Sequence, residues 1–144
     1  MVIPAQRKLF GFTLIELLIV IAILGILAAA VLVAVNPAKR QRQARDSARK
    51  NDIGQMATAL QAYYTTPGLG KYPASLATLT TTGDLKMEPK DPTGGTYSYT
   101  FNSASAESWL WYTLEDPTGA NGFWCWASTA GKAAEKGTAL ACTG

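Results

Sequence analysis

Apolar and polar positions divide this chain into segments of different character. From Leu17 to Val35 no residue is charged and nearly all are apolar. As a helix this run rises about 30 Å, one hydrocarbon thickness, which predicts a membrane-spanning element. A single carboxylate, Glu16, stands at its start. An ionised acid at that depth is costly unless a positive group meets it, which marks a functional position. Asn36-Pro37 follows. Proline removes a backbone donor and crowds the preceding turn, so a kink or local loosening is expected there. Ala38 to Asp52 is polar and basic. Beyond it, Ile53, Met56, Ala57, Leu60, Tyr63 and Tyr64 recur at helical offsets, an amphipathic stripe that needs a surface to pack on.

The C-terminal half supplies that surface. Pro67, Gly68 and Gly70 end the helix and open a loop, and a short helix is expected around Leu76 and Leu79. Asp91-Pro92-Thr93-Gly94 and Asp116-Pro117-Thr118-Gly119 are one tetrapeptide used twice, each suited to a type I turn with Asp bonding to the turn backbone. Tyr97 to Phe101 alternates, Trp109 to Glu115 is rich in aromatic and β-favouring residues, and Phe123 to Trp126 resembles a third strand. Three antiparallel strands over one helix face predict an α+β head of roughly 80 residues, near the lower end of comfortable domain size. The tryptophans 109, 111, 124 and 126 are read as core.

Charge is unevenly placed. The chain carries +3 overall, but Lys39, Arg40, Arg42, Arg45, Arg49 and Lys50 against Asp46 make residues 39–50 +5, and from residue 51 onward five lysines face eight acids. There is no histidine, which removes histidine triads, histidine metal sites and the usual pH switch. No Gly-rich phosphate loop or metal-spaced cysteine cluster is present, so an enzyme is not expected.

Gly11-Phe12-Thr13-Leu14-Ile15-Glu16-Leu17 leading into an apolar helix resembles the class III leader and N-terminus of type IV prepilins and their pseudopilin relatives. The likeness is tight from Gly11 to about Ala30. Beyond Val35 it rests on layout: basic residues after the span, Tyr72-Pro73, the Asp-Pro-Thr-Gly turn, aromatic strands and two late cysteines. The resemblance implies the pilin fold, a long N-terminal helix whose first half spans the membrane and whose second half packs on a small antiparallel sheet. It divides the chain into a leader (1–11), a transmembrane and filament-core helix (12–35), an amphipathic continuation (36–64) and a head (65–144). A membrane peptidase is expected to cut between Gly11 and Phe12, after which the Phe12 amine is N-methylated. Glu16 then acts in filament assembly, meeting the Phe12 amine of an adjacent subunit. Gly25 and Pro37 are expected to give the helix its flexibility.

The family places its head outside the cytoplasmic membrane. Counting basic residues would place it inside, since Arg7 and Lys8 precede the span and six cations follow it. The leader must be presented to a peptidase on the cytoplasmic side, so the family topology is adopted. In an exported head, Cys125 and Cys142 are expected to form one bridge, like the C-terminal disulfide region of pilins. Asp84, Glu88 and Asp91 are candidate oxygen ligands for Ca²⁺, because the major pseudopilins of type II secretion hold calcium in a comparable late loop. No cofactor is otherwise required.

The expected function is thus a structural subunit. It is a pilin polymerising with copies of itself into a type IV pilus-like fibre for adhesion, motility or DNA uptake, with peptidase, platform and motor proteins as partners. A major pseudopilin of type II secretion, ending in a periplasmic rather than extracellular fibre, is the alternative. A non-polymerising membrane-anchored binding module is a third reading. DNA as a partner has no support in the basic residues, which lie on the helix that a fibre would bury. The basic stretch 39–50 faces either acidic head surface of other subunits or anionic lipid headgroups.

Overall fold

Thr13 starts the first helix. Its backbone is extended, and its side chain and that of Glu16 cap each other's backbone N–H groups, a reciprocal capping box. The computed structural model describes residues 11–104, 106–119 and 122–142. Of the expected leader, only Gly11 falls among them; residues 1–10 lie outside the described residues. The chain divides into two units, Met1–Pro37 and Ala38–Gly144.

In the first unit, α1 runs Leu14–Val35, 22 residues without one that is buried. It is long and apolar enough to cross a membrane, and it stays helical through Gly25. It ends at Asn36, which takes a left-handed conformation (φ 46°), a C-terminal position that asparagine tolerates better than most residues. A second helix, α2, then starts at Pro37 and runs to Thr65. The expected continuation through residue 36 is therefore an interruption followed by a new start. Proline suits the first position of a helix, where its missing N–H would be unpaired anyway.

The second unit builds the head on α2. Ile53, Met56 and Leu60 are fully buried, and Ala57 and Ala59 nearly so. They meet Leu76, Leu79, Tyr97, Leu110 and Trp126 in one core, with Tyr63 packed against its edge. Tyr64 lies 4.8 Å from Tyr72, ring centre to ring centre. The helix ends before a cis Thr66–Pro67 bond, and α3 (Ala77–Thr82) carries Leu79 into the core.

The sheet has four antiparallel strands in chain order: β1 (Ser98–Asn102), β2 (Glu107–Thr113), β3 (Phe123–Ala127) and β4 (Lys132–Lys136). Three were expected, and β4 corrects that reading. Its sequence, Lys-Ala-Ala-Glu-Lys, has no β-favouring residue; pairing with the aromatic β3, Trp124 opposite Glu135 and Trp126 opposite Ala133, makes it a strand. Burial also sorts the tryptophans differently from expectation. Trp126 is buried in the core and Trp124 packs against it. Trp109 and Trp111 have the opposite parity to buried Leu110 and are only half-buried, because successive side chains on a strand point to opposite faces. Cys125 and Cys142 are joined by a disulfide, which ties the terminal 3₁₀ turn Leu140–Cys142 to β3.

Candidate functional site

Gly11, Phe12 and Thr13 precede α1 outside any helix or strand, and Phe12 is 86% exposed. A Cβ added at Gly11 or at Gly25 would meet nothing within 4 Å, so packing inside the chain demands glycine at neither position. Glu16 lies one turn into the helix. Its carboxylate accepts from the Thr13 N–H at 2.8 Å and the Thr13 hydroxyl at 2.8 Å, and its own N–H donates to Thr13 Oγ1 at 3.3 Å. In the single chain, then, the acid has a local partner that caps the helix, next to the backbone segment where cleavage is expected. Beyond it, Leu14, Ile15, Leu17, Leu18 and the rest of α1 present their apolar side chains outward. Within the described residues of this first unit, α1 buries none of them.

The candidate calcium ligands are not brought together. Asp84 accepts from the Thr82 hydroxyl at 2.6 Å, Glu88 lies near Tyr97 and Tyr99 at the rim of a shallow hollow, and the Asp91 side chain is completely buried against Arg49. Among the described residues, no group of three or more His, Cys, Asp or Glu is arranged to hold a metal.

Asp91 instead belongs to an ionic cluster that sequence spacing did not reveal. Arg49, with a side chain only 3% exposed, pairs with Asp91 through Nε and through Nη2 at 3.2 Å. It also reaches Asp46 Oδ1 at 2.8 Å and Glu115 Oε1 at 2.8 Å. Arg45 forms a two-pronged pair with Glu115, its Nε at 2.8 Å from Oε1. Asp46 accepts further from the backbone N–H groups of Glu115 and Asp116, the latter at 2.7 Å. Each buried charge is thereby paired and hydrogen-bonded, the condition for ions to be tolerated away from water. Burial works against the Asp91 carboxylate, yet Arg49 and Thr93 hold it well below the usual range. Arg45 and then Arg49 bring Glu115 down to about 2 despite some desolvation. The cluster fastens α2 to the turn before β1 and to the segment after β2. Asp46 and Arg49, three apart on one helix face, were the only local hint of it.

The twin Asp-Pro-Thr-Gly segments diverge. At the first, the Asp91 carbonyl accepts from Gly94 N–H at 2.8 Å and its side chain from Thr93 N–H at 2.8 Å, as a turn requires. At the second, Glu135 of β4 accepts from the Thr118 N–H and hydroxyl, both at 2.7 Å.

Residues 7–32 match the prokaryotic N-terminal methylation motif family. The chain is 36% identical over 108 residues to type II secretion system core protein G of Pseudomonas aeruginosa, an alignment covering 65% of this chain and 75% of that protein. No solved structure matches it. The alignment reaches well beyond α1 into the head. Together with an N-terminal apolar helix, its capping acid and a small antiparallel head, this shows that the chain belongs to the type IV prepilin and pseudopilin family.

Proposed function

We propose that this chain is a filament subunit of the pseudopilin kind. It is made as a precursor, cut between Gly11 and Phe12, methylated on the Phe12 amine, and held by α1 as a single-pass membrane protein with its head outside. It then assembles with copies of itself. The observation that carries this reading is that α1 buries none of its residues, whereas the head closes a core of its own. A 22-residue helix that is apolar but for Glu16 and buries none of its residues needs lipid first and neighbouring helices afterwards. Gly25 and Ala28 to Ala30 are small enough for those neighbours to approach closely. Glu16 exchanges its capping partner for the Phe12 amine of an adjacent subunit, so that neither charge is left alone in apolar surroundings. Peptidase, assembly platform and motor are the partners this requires, and the chain acts by assembling rather than by catalysis.

The secretion setting is favoured over a surface pilus by the likeness to core protein G, because it covers far more than the shared N-terminal motif. Mass spectrometry and electron microscopy of material sheared from intact cells test both levels. A peptide beginning at methylated Phe12 that is found only in the envelope fits the proposal. The same peptide in long sheared fibres moves the subunit to an extracellular pilus. An intact leader on all the protein refutes processing altogether.

A further inference from the structure

The six basic residues at the start of α2 do not act alike. Arg45 and Arg49 are drawn into the head by Glu115, Asp91 and Asp46, and Lys50 lies with its ammonium 4.7 Å from the centre of the Trp124 ring. Lys39, Arg40 and Arg42 lie earlier, before Gln43, the first residue of α2 that the head partly covers. Every residue from Gly11 to Arg42 is exposed. Arg40 donates to the amide oxygen of Gln43 at 3.4 Å, which neutralises nothing. The sequence carries no acid from Leu17 to Arg45. Residues 36–42 are therefore a short exposed neck whose own sequence holds three cations and no acid.

Chain length fixes where this neck lies. At about 1.5 Å per residue, the 22 residues of α1 rise roughly 33 Å, enough to fill a hydrocarbon core of about 30 Å. The seven neck residues span about 10 Å as helix, and the headgroup layer beyond the core is about 5–8 Å thick on each side. A neck joined directly to α1 cannot avoid that layer. Guanidinium groups offer a planar fork that matches phosphate oxygens two at a time.

We propose that Arg40 and Arg42, with Lys39 beside them, form a contact for anionic phospholipid headgroups while the subunit is held in the membrane. This rests on the reading of α1 as the membrane anchor of the precursor. Lipid is preferred to a second copy as the occupant because the chain itself delivers the neck to the phosphate layer, whereas the acids of another head would have to be brought to it. The contact accounts for a cationic segment on the side of the membrane where such residues are disfavoured. It also gives the subunit a defined depth, which assembly must release.

Amide hydrogen exchange on the full chain tests this. The chain is reconstituted in vesicles of phosphatidylcholine alone and in vesicles with phosphatidylglycerol added. Amides of residues 38–44 are expected to exchange several-fold more slowly in the anionic vesicles. The difference should vanish in high salt and in the Lys39→Gln/Arg40→Gln/Arg42→Gln variant, while α1 stays protected in both lipids. Equal exchange of 38–44 in the two lipids overturns the proposal. Protection that follows protein density rather than lipid charge also overturns it and assigns the neck to a second copy. Unprotected α1 in both lipids refutes the membrane reading itself, and the headgroup contact with it.

Discussion

Arg49 stands among three carboxylates, and its loss cannot be absorbed. Asp91 is completely buried and Asp46 nearly so, and neither can turn to water once the guanidinium is gone. Arg49→Ala is expected to destabilise the head by about 3–5 kcal/mol, the range for stripping a buried charge of its partner. The readout is the urea midpoint of the detergent-solubilised chain, followed by tryptophan fluorescence. Arg49→Lys should fall in between, since one ammonium keeps the charge but cannot donate along three directions from a rigid fork. The same cluster sets the response to acid. Asp91 and Glu115 titrate lower in the folded chain than unfolded, so their contribution is complete above the unfolded values near 4 and drains away below them. Stability should hold from neutrality to about pH 5 and fall from about pH 4 downward, through the Glu115 value of about 2 and on below it for Asp91, whose carboxyl is held lower still. In Arg49→Ala, an unpaired buried Asp91 titrates upward instead. Acidification towards pH 4 should then narrow the gap between variant and parent, and a constant gap would contradict the assigned pairing. Gly68 is a separate residue-scale constraint. A Cβ there would lie 2.2 Å from the Lys71 carbonyl oxygen and 2.7 Å from that of Tyr63, and backbone cannot swing aside as a side chain can. Gly68→Ala should cost about 1–3 kcal/mol in the same measurement.

Among the elements, the terminal turn depends most on a covalent tie. The segment after β4 offers little to the core, and the Cys125–Cys142 bridge closes a loop with a sequence separation of 17. Cys142→Ser should lower stability by about 2–4 kcal/mol, mainly by freeing the unfolded chain. An unchanged midpoint in non-reducing urea titration would show the tie to be idle. Elements with strong internal pattern were legible before the structure. The apolar run gave α1, and the offsets of Ile53, Met56, Ala57 and Leu60 gave the buried face of α2. Leu76 and Leu79 marked α3, and the three aromatic strands were placed within one or two residues. What a local pattern does not carry is what distant partners impose. Lys132–Lys136 is a strand because β3 offers it an edge, and nothing within its five residues says so. The two Asp-Pro-Thr-Gly segments are identical in sequence, yet Glu135 sits beside the second alone. In Asn36-Pro37 the proline is the more conspicuous breaker by sequence, but the left-handed backbone is at the asparagine. The Arg49 cluster joins residues 42 and 66 positions apart, beyond any local pattern. Of the candidate site, the residues from Gly11 to Glu16 were readable because their spacing is itself the signal.

At the scale of the whole molecule, the head is complete in itself and the N-terminal helix is not, so assembly turns on how the start of α1 meets another copy. Glu16 has an observed role and a proposed one there, which ordinary substitutions confound. In the single chain it caps the helix through Thr13; in a filament it would face the Phe12 amine of a neighbour. Glu16→Val removes both, and the lost cap alone costs on the order of 1 kcal/mol of helix stability. Glu16→Gln separates them. Glutamine serves the third helical position of a capping box as well as glutamate does, but it brings no charge. If charge pairing drives assembly, both variants are cut after Gly11 and remain in the membrane fraction, and both give few fibres. Comparison of processed protein in membranes with protein recovered in fibres would show it directly. Full assembly by Glu16→Gln with failure of Glu16→Val would assign the acid to the cap and refute the pairing. Full assembly by both would leave the apolar surface of α1 as the sole driving force, and the carboxylate would have no part in building the filament.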